Sequence, residues 1–159
     1  MKQHIVFLMI LFLLLSICGC AQTDENERSF YYLRTAETIR YGQSDAIIAP
    51  VSRNITGEDA SLDYLLQLYL KGPTEEGYVS PIPKGTYLLS SLWNEDTLVL
   101  VLSREFSTLD GIGLTLAGAC LTATCHDLTG AEAIEVRSAD EIYKFNLTDY
   151  AFLDGSTGQ

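Results

Sequence analysis

The chain has 159 residues, of which 10 are basic and 21 acidic, and its formal net charge at pH 7 is −11. This balance argues against nucleic acid as a partner, because the phosphates would be repelled. It also argues against docking on anionic lipid through protein charge. The length suffices for one domain with a modest core.

The N-terminus has the features of a lipoprotein signal peptide. Lys2 precedes an apolar run from Ile5 to Ile17, which is shorter than the roughly 20 residues that a membrane-spanning helix needs. Ile17-Cys18-Gly19-Cys20 resembles the lipobox of bacterial lipoproteins, so cleavage would remove residues 1–19 and leave Cys20 to be lipidated. We therefore expect a lipid-anchored protein on the extracytoplasmic face of the bacterial cell membrane. An uncleaved anchor or ordinary secretion is the alternative.

A short tether and two strands are predicted next. Residues 20–29 are polar and aperiodic, as expected of a tether between the lipid and the folded domain. Residues 30–34 and 45–53 predict two strands joined by a turn at 42–45. Because Pro50 cannot donate a ladder hydrogen bond, the second strand is expected at a sheet edge.

The first helix is predicted from a capping pair, Thr56 and Asp59, and from apolar residues at helical spacing. Gly72-Pro73 should end it, because Gly72 can adopt a positive φ and Pro73 cannot continue the helix. Residues 74–85 contain two glycines and two prolines, which predicts an irregular surface segment.

A hairpin is predicted over residues 86–103, with its turn at 94–96. Its second strand is apolar on both faces, so the face away from the helices must be covered by another part of the chain or by a partner. A second helix is expected over residues 110–128, with Gly130 as its stop, followed by a strand at 133–137. Residues 139–159 are assigned to a C-terminal tail.

These elements predict an α+β fold in which two helices pack on one face of a small, mainly antiparallel sheet. The order is helix, strand, strand, helix, strand, with extra strands at the N-terminus. Cys120 and Cys125 fall within the second helix at a spacing that disfavours a bridge, so both are expected to be buried thiols.

Catalytic and metal-binding patterns are not found in the sequence. His126 is the only histidine after the leader, and Ser103 lacks a nucleophile-elbow motif, so Ser103 is expected to accept a backbone N–H near a turn. No metal-ligand spacing is present, and neither a metal nor a cofactor is predicted. The chain is therefore predicted not to be an enzyme.

Four segments, read together, resemble the GerMN domain of sporulation and germination proteins. They are Leu65 to Gly77 (LLQLYLKGPTEEG), Ser80 to Thr86 (SPIPKGT), Leu100 to Phe106 (LVLSREF), and Thr124 to Gly130 (TCHDLTG) followed by Val136. The resemblance assigns residues 30–138 to a GerMN-like domain. Two departures stand out: Cys125 replaces the leucine usual in the family, and residues 138–141 replace its usual Asp-Gly turn, which weakens the expectation of a hairpin there.

The resemblance implies a non-catalytic, lipid-anchored protein-interaction module with a core similar to ring-building modules, acting in sporulation or germination envelope assembly. Its partners would be the membrane, through lipid on Cys20, and envelope or sporulation proteins, with self-association left open. A cell-wall-active hydrolase and a small-ligand-binding lipoprotein are the alternatives. The residues expected to maintain the motif are Gly72, Pro73, Pro83, Gly85, Ser103, Phe106, Thr124 and Gly130. The candidate interface residues are Tyr78, Tyr87, Trp93, Leu98, Leu100 and Leu102.

Overall fold

The computed structural model of the protein describes residues 26–38, 46–55 and 60–150, which form seven strands and two α-helices. The strands are β1 (Glu27–Arg34), β2 (Ile48–Asn54), β3 (Tyr78–Val79), β4 (Leu88–Asn94), β5 (Thr97–Leu102), β6 (Ala133–Ser138) and β7 (Glu141–Asn146). The helices are α1 (Leu62–Leu70) and α2 (Gly111–Thr129), with short 3-10 helices at Phe106–Thr108 and Leu147–Tyr150.

The strands form two sheets. One is three-stranded and antiparallel, in the order β2-β1-β3, and the other is four-stranded, in the order β4-β5-β6-β7. In the larger sheet β5 and β6 are parallel, and α2 supplies the crossover that a parallel pair requires. The α+β class and the mainly antiparallel pairing are confirmed. So is the edge position of β2, the strand that contains Pro50.

Both helices lie between the two sheets. Tyr69 of α1 stacks on Phe30 and Tyr32 of β1, with ring centroids 6.3 and 5.1 Å apart. On the other side of α1, the Gln67 side chain donates to the Leu88 carbonyl of β4 at 2.7 Å. Helix α2 likewise contacts β1 as well as β6 and β7. The helices thus cover one face of the four-stranded sheet as predicted, but the N-terminal strands form a second sheet across the helices.

This sandwiched position explains the burial of α2. Ala117, Cys120, Leu121 and Cys125, which repeat at helical spacing, are buried, and Gly118, Ala119 and Thr122 on other sides of the helix are buried too. A helix with neighbours on two sides needs small or apolar residues over more than one face. Gly130 ends α2 with φ 79°, and its N–H donates to the His126 carbonyl at 2.7 Å.

The cap of α1 is Ser61, whose hydroxyl accepts a hydrogen bond from the Tyr64 backbone N–H at 3.3 Å. The predicted capping pair, Thr56 and Asp59, and the predicted turn at 42–45 lie outside the described residues. The segment 74–85, expected to be irregular, contains β3, which pairs with the end of β1.

The two faces of β5 have different surroundings. Leu98, Leu100 and Leu102 are buried in the core beneath the helices. On the outer face, Val99 is fully buried between its cross-strand neighbours, Leu92 of β4 and Glu135 of β6. The N-terminal strands do not cover this outer face, because they lie on the far side of the helices.

Strands extend into both segments that the sequence assigns to a tether and a tail. β1 begins at Glu27, inside the predicted tether. β7 lies inside the predicted tail and pairs with β6, and its Phe145 is buried in the core. Ala139 adopts φ 52° in the connecting turn, so this hairpin forms without glycine. The left-handed conformation costs about 1–2 kcal/mol for an alanine, and the strand pairing and the burial of Phe145 offset it.

No helix among the described residues is both long and apolar enough to span a membrane.

Candidate interaction surface

A groove of about 620 Å³ lies between the C-terminal end of α1 and the segment that follows it. Leu70 and Ile82 form an apolar floor and are buried. Lys71 and Lys84, both exposed, also line the groove, and the half-buried Tyr78 of β3 contributes an aromatic wall. The groove therefore combines an apolar base with two ammonium groups.

Four of the predicted motif residues surround this groove. Gly72 has φ 89° directly after α1, and Pro73 follows it. The Pro83 carbonyl accepts hydrogen bonds from the Thr86 N–H at 3.1 Å and from the Thr86 hydroxyl at 2.8 Å. Gly85, at the third position of this turn, has φ 92°, which a type II turn requires there. The glycines and prolines thus shape the groove wall.

Two further motif residues lie where β5 leaves the sheet. The Ser103 hydroxyl accepts the Tyr87 backbone N–H at 3.1 Å, and the Ser103 carbonyl accepts the Ser138 hydroxyl at 2.8 Å. Phe106 is fully buried, and its ring meets Tyr143 edge-on at 5.6 Å. The structure places Ser103 in a turn role of the kind predicted, as an acceptor for a backbone donor.

Thr124 joins α2 to the three-stranded sheet. Its side chain is fully buried, and its hydroxyl oxygen accepts the Tyr31 backbone N–H at 2.9 Å. β3 pairs only with Leu33 and Arg34 at the end of β1, so the edge of β1 at Tyr31 has no strand beside it. Thr124 supplies the hydrogen-bond acceptor for the Tyr31 N–H at this unpaired edge. Asp127, one turn later, accepts the Tyr31 hydroxyl at 3.1 Å.

The six candidate interface residues are not brought together. Leu98, Leu100 and Leu102 are at most 2% exposed, so they belong to the core and do not form a surface. Tyr87 and Trp93 are about half exposed but lie six residues apart on an extended segment, or roughly 20 Å. Tyr78 alone lines the groove. The prediction that these three leucines belong to an interface is wrong, because a strand that is apolar on both faces does not reveal which face the rest of the chain covers.

Arg53 is a largely buried arginine that was not among the site residues predicted from the sequence. The Arg53 guanidinium lies over the rings of Phe30 and Tyr32, at 5.5 and 5.9 Å from their centroids, and donates to the Gly72 carbonyl at 2.9 Å. Glu75 approaches it at 3.6 Å. Strand alternation could have located Arg53, because it follows the buried Ala49 and Val51 at the period of two. Arg53 thus ties β2 to the end of α1.

Thiols and phenols are concentrated around Tyr69, whose electrostatic neighbours are Cys120, Tyr32 and Cys125. Cys120 and Cys125 are buried and unbridged, and burial raises the pKa of each thiol to about 12. Burial also raises the pKa of Tyr69 well above its usual value. The Tyr32 hydroxyl donates to the Tyr69 carbonyl at 3.0 Å, and burial raises the Tyr32 pKa to about 12. These groups remain neutral at physiological pH, so they act as packing residues and not as nucleophiles.

His126 lies in the last turn of α2, half-buried, with its Nδ1 3.2 Å from the Ala131 carbonyl oxygen. A carbonyl only accepts hydrogen bonds, so Nδ1 carries the proton. Within the described ranges, no group of three or more histidine, cysteine, aspartate or glutamate side chains could hold a metal ion.

The outer face of the four-stranded sheet carries an ion-pair network. Glu135 contacts Arg137 at 2.7 Å and Lys144 of β7 at 3.7 Å. The hydrogen bond from Arg137 and the two positive charges lower the pKa of the Glu135 carboxyl. Leu92 and Ile142 on the same face are about half exposed, so this face is mixed in character.

The sequence profile of the Germane family, described as sporulation and spore germination, matches residues 29–142. The chain belongs to this family. No curated protein gives a significant match. Among solved structures, the first GerMN domain of the sporulation protein GerM from Bacillus subtilis is similar, with a TM-score of 0.56 and 14% identity. This match covers 74% of this chain and 85% of that one.

The tandem GerMN domains of the same protein are also similar to this Germane-family chain, with a TM-score of 0.52 and 14% identity. The match covers 72% of this chain and 39% of that one. At such identities the likeness establishes the GerMN-type fold alone. The family match extends to residue 142 and so includes the start of β7, beyond the boundary at 138 taken from the motifs.

Proposed function

We propose that this Germane-family protein is a lipid-anchored, extracytoplasmic protein-interaction module that acts in sporulation or germination envelope assembly. The observation that carries the proposal is the family match over residues 29–142, which begins nine residues after a lipobox-like cysteine, Cys20. A short polar link between a lipid and a folded domain is the arrangement expected of an anchored module.

The side-chain contacts support a binding role over a catalytic one. The Ser103 hydroxyl accepts the Tyr87 backbone N–H, and the carboxyl near it, that of Glu105, has its pKa lowered by the Ser103 hydroxyl and a backbone N–H, which makes Glu105 a weak base for catalysis. The His126 Nδ1 hydrogen-bonds to the Ala131 carbonyl. The acidic residue with the clearest charged partners, Glu135, is bound by Arg137 and Lys144. Ser103, His126 and Glu135 thus each have a structural partner.

The proposal is tested by the yield of heat-resistant spores from a strain lacking this protein. We expect the yield to fall, to be restored by the wild-type chain, and not to be restored by Cys20→Ala. The matched control is Cys18→Ala, which removes a neighbouring thiol and leaves the predicted lipidation site intact. An unchanged yield in the deletion strain would refute a role in sporulation, whereas full rescue by Cys20→Ala would refute the need for the anchor.

The anchor itself is tested by fractionation. The wild type and Cys18→Ala should sediment with membranes and enter the detergent phase on phase separation. Cys20→Ala should lose the mass of the diacylglyceryl group. A wild-type chain recovered without added lipid mass would contradict the lipidation of Cys20.

A further inference from the structure

We propose that the groove between α1 and the segment 72–86 binds an extended stretch of a protein partner, in which acidic side chains flank an apolar one. The inference rests on the proposed function as an interaction module, and it identifies the surface and the chemistry of what binds there. Four properties of the described residues carry it: the charge of the groove lining, the apolar floor, the open backbone edge of β3, and the rigidity of the groove wall.

The charge of the lining is opposite to that of the chain. The protein has 21 acidic and 10 basic residues, and only four of its residues are lysines. Two of these four, Lys71 and Lys84, line the groove, and none of the described lining residues is acidic. Lys71 also complements the partial negative charge at the C-terminus of α1, whereas Lys84 does not lie at the end of a helix. A carboxylate entering the groove would therefore meet ammonium groups without opposing charge.

The floor of the groove selects an apolar side chain. Leu70 and Ile82 are buried beneath it, and Val79 is 48% exposed at its side. An apolar side chain placed there would remove this surface from water at a gain of about 25 cal/mol per Å². Apolar contact with peripheral carboxylates is thus the chemistry that the groove complements.

The backbone of β3 favours an extended ligand. β3 is an edge strand, and the Thr35 N–H donates to the Gly77 carbonyl at 2.9 Å. In an antiparallel pair, hydrogen-bonded residue pairs alternate with non-hydrogen-bonded ones. Because Thr35 and Gly77 are hydrogen-bonded, Leu33 and Val79 are as well, and the pair between them, Arg34 and Tyr78, is not. The Tyr78 N–H and C=O therefore point away from β1. Among the described residues, neither Tyr78 group has a backbone partner. An extended peptide could pair with this edge, which is a common mode of recognition.

The groove wall is fixed before any ligand arrives. Thr86 bonds the Pro83 carbonyl through both its N–H and its hydroxyl, and the Ser80 hydroxyl accepts the Ile82 N–H at 3.1 Å. The Gln67 side chain ties the adjoining turn of α1 to β4. A preorganised site loses little conformational entropy on binding, so a short segment is sufficient for detectable affinity.

The probe is an acetylated and amidated synthetic peptide, Asp-Glu-Val-Tyr-Glu-Asp, titrated into the purified, isotope-labelled full chain at low salt and followed by amide NMR shifts. We expect shifts at Tyr78, Val79 and Lys84, and weaker binding as salt is added. Two matched peptides are the controls. In one the acids are replaced by their amides, and in the other alternate peptide nitrogens are methylated to block strand pairing.

The protein variant is Lys71→Glu/Lys84→Glu, with Lys144→Glu as the matched control outside the groove. Both lysines of the groove are exposed, so the variant should fold, which its unperturbed amide spectrum away from the groove would verify. We expect peptide affinity to fall about tenfold or more in the double variant and to be nearly unchanged in the control. Equal affinity in the double variant, or shifts confined to another surface, would overturn the proposal.

Other occupants give distinct results. Concentration-dependent shifts at the groove without peptide, together with a dimer in sedimentation, would overturn the proposal in favour of a second copy of this chain. Equal binding of the amide-substituted peptide would overturn the acidic requirement. Loss of binding in that control and in the methylated peptide supports the full proposal.

The spore assay separates this inference from the proposed function. If deletion lowers spore yield and Lys71→Glu/Lys84→Glu restores it fully, the groove is not the working surface and the proposed function stands. If deletion has no effect on spores, the proposed function fails, while the peptide titration still decides whether the groove binds.

Discussion

The three-stranded sheet presents aromatic rings, an arginine and backbone N–H groups to the helices, whereas the four-stranded sheet presents mainly aliphatic side chains. On the first side, Arg53 lies over Phe30 and Tyr32, and Tyr31 bonds Thr124. On the second, Leu98 and Leu100 pack beneath the same helices. The two sides differ in what a lost side chain leaves behind, because an aliphatic truncation leaves a void and a polar one leaves an unpaired partner.

The two sides should contribute differently to the pH dependence of the free energy of unfolding. The core face of the four-stranded sheet, here called the aliphatic side, depends on close packing of apolar side chains, so its contribution to stability should vary little with pH. The contribution of the aromatic side depends on neutral phenols and thiols and on the Arg53–Glu75 ion pair, so it should depend on protonation.

The largest effect is expected on the aliphatic side. Leu100→Ala should lower the free energy of unfolding by about 2–5 kcal/mol, because Leu100 is fully buried at the centre of β5. Urea denaturation followed by circular dichroism measures this. Leu92→Ala is the control on the same sheet, and as a half-exposed residue it should cost under about 1 kcal/mol. Equal costs for the two leucines would contradict the assignment of the core face.

On the aromatic side, Arg53→Ala should lower the free energy of unfolding by about 1–3 kcal/mol. The change removes the hydrogen bond to the Gly72 carbonyl and the cation–π contacts with two rings. Arg53→Met retains more of the packing and should cost less, so the difference between the two variants isolates the packing contribution. Arg104→Ala, at an exposed arginine, should be neutral in the same denaturation series.

The contact between α2 and β7 gives a smaller effect. A Cβ at Gly118 would overlap the Phe145 ring, so Gly118→Ala must displace a buried ring. Overpacking of this kind costs about 2 kcal/mol, and the gain in helix propensity offsets about 1 kcal/mol, which leaves a net destabilisation of about 1 kcal/mol. Gly113→Ala in the same helix meets only ordinary contact with Leu109 and should stabilise the protein in thermal unfolding. Stabilisation by both substitutions would show that the ring moves freely.

The smallest effect at neutral pH is expected for Tyr69→Phe. The Tyr69 hydroxyl is buried, and within the described part of the chain it makes no hydrogen bond of good geometry, although the Thr124 side chain lies near it. Its removal should therefore change stability by less than about 1 kcal/mol at pH 7. Burial raises the pKa of Tyr69, so the folded state keeps the proton while the unfolded state ionises above pH 10. Wild-type stability therefore falls as the pH rises through this range. Tyr69→Phe should unfold at higher pH in an alkaline titration, and an unchanged alkaline midpoint would contradict this account.

The aliphatic side was largely predictable from the sequence. Local periodicity identified the run of five apolar residues in β5 and the helical spacing of apolar residues in α2. The backbone freedom of glycine identified the helix ends at Gly72 and Gly130. These features led to the correct class and to nearly correct element bounds. Residues 74–85 were predicted as an irregular surface segment because they contain two glycines and two prolines, but the two lysines that line the groove, Lys71 and Lys84, were not among the predicted site residues.

The aromatic side was less predictable, because its contacts join residues far apart in the chain. The proximity of Arg53 to Gly72, and of Thr124 to Tyr31, depends on how a second sheet closes over the helices. The spacing of apolar and polar residues along the chain does not indicate that the N-terminal strands form this separate sheet. β7 was missed for a similar reason: its turn contains Ala139 at positive φ, a conformation that the sequence does not signal as glycine would.

The length of β1 limits how far from a membrane the groove can work. Its eight residues span about 23 Å, and Tyr78 of the groove lies opposite Arg34 at its far end. For a chain anchored at Cys20, the seven residues from the lipid to Glu27 add at most about 24 Å of contour. The groove then lies within roughly 50 Å of the bilayer. A partner that presents its segment beyond that radius cannot be reached, however well its side chains fit.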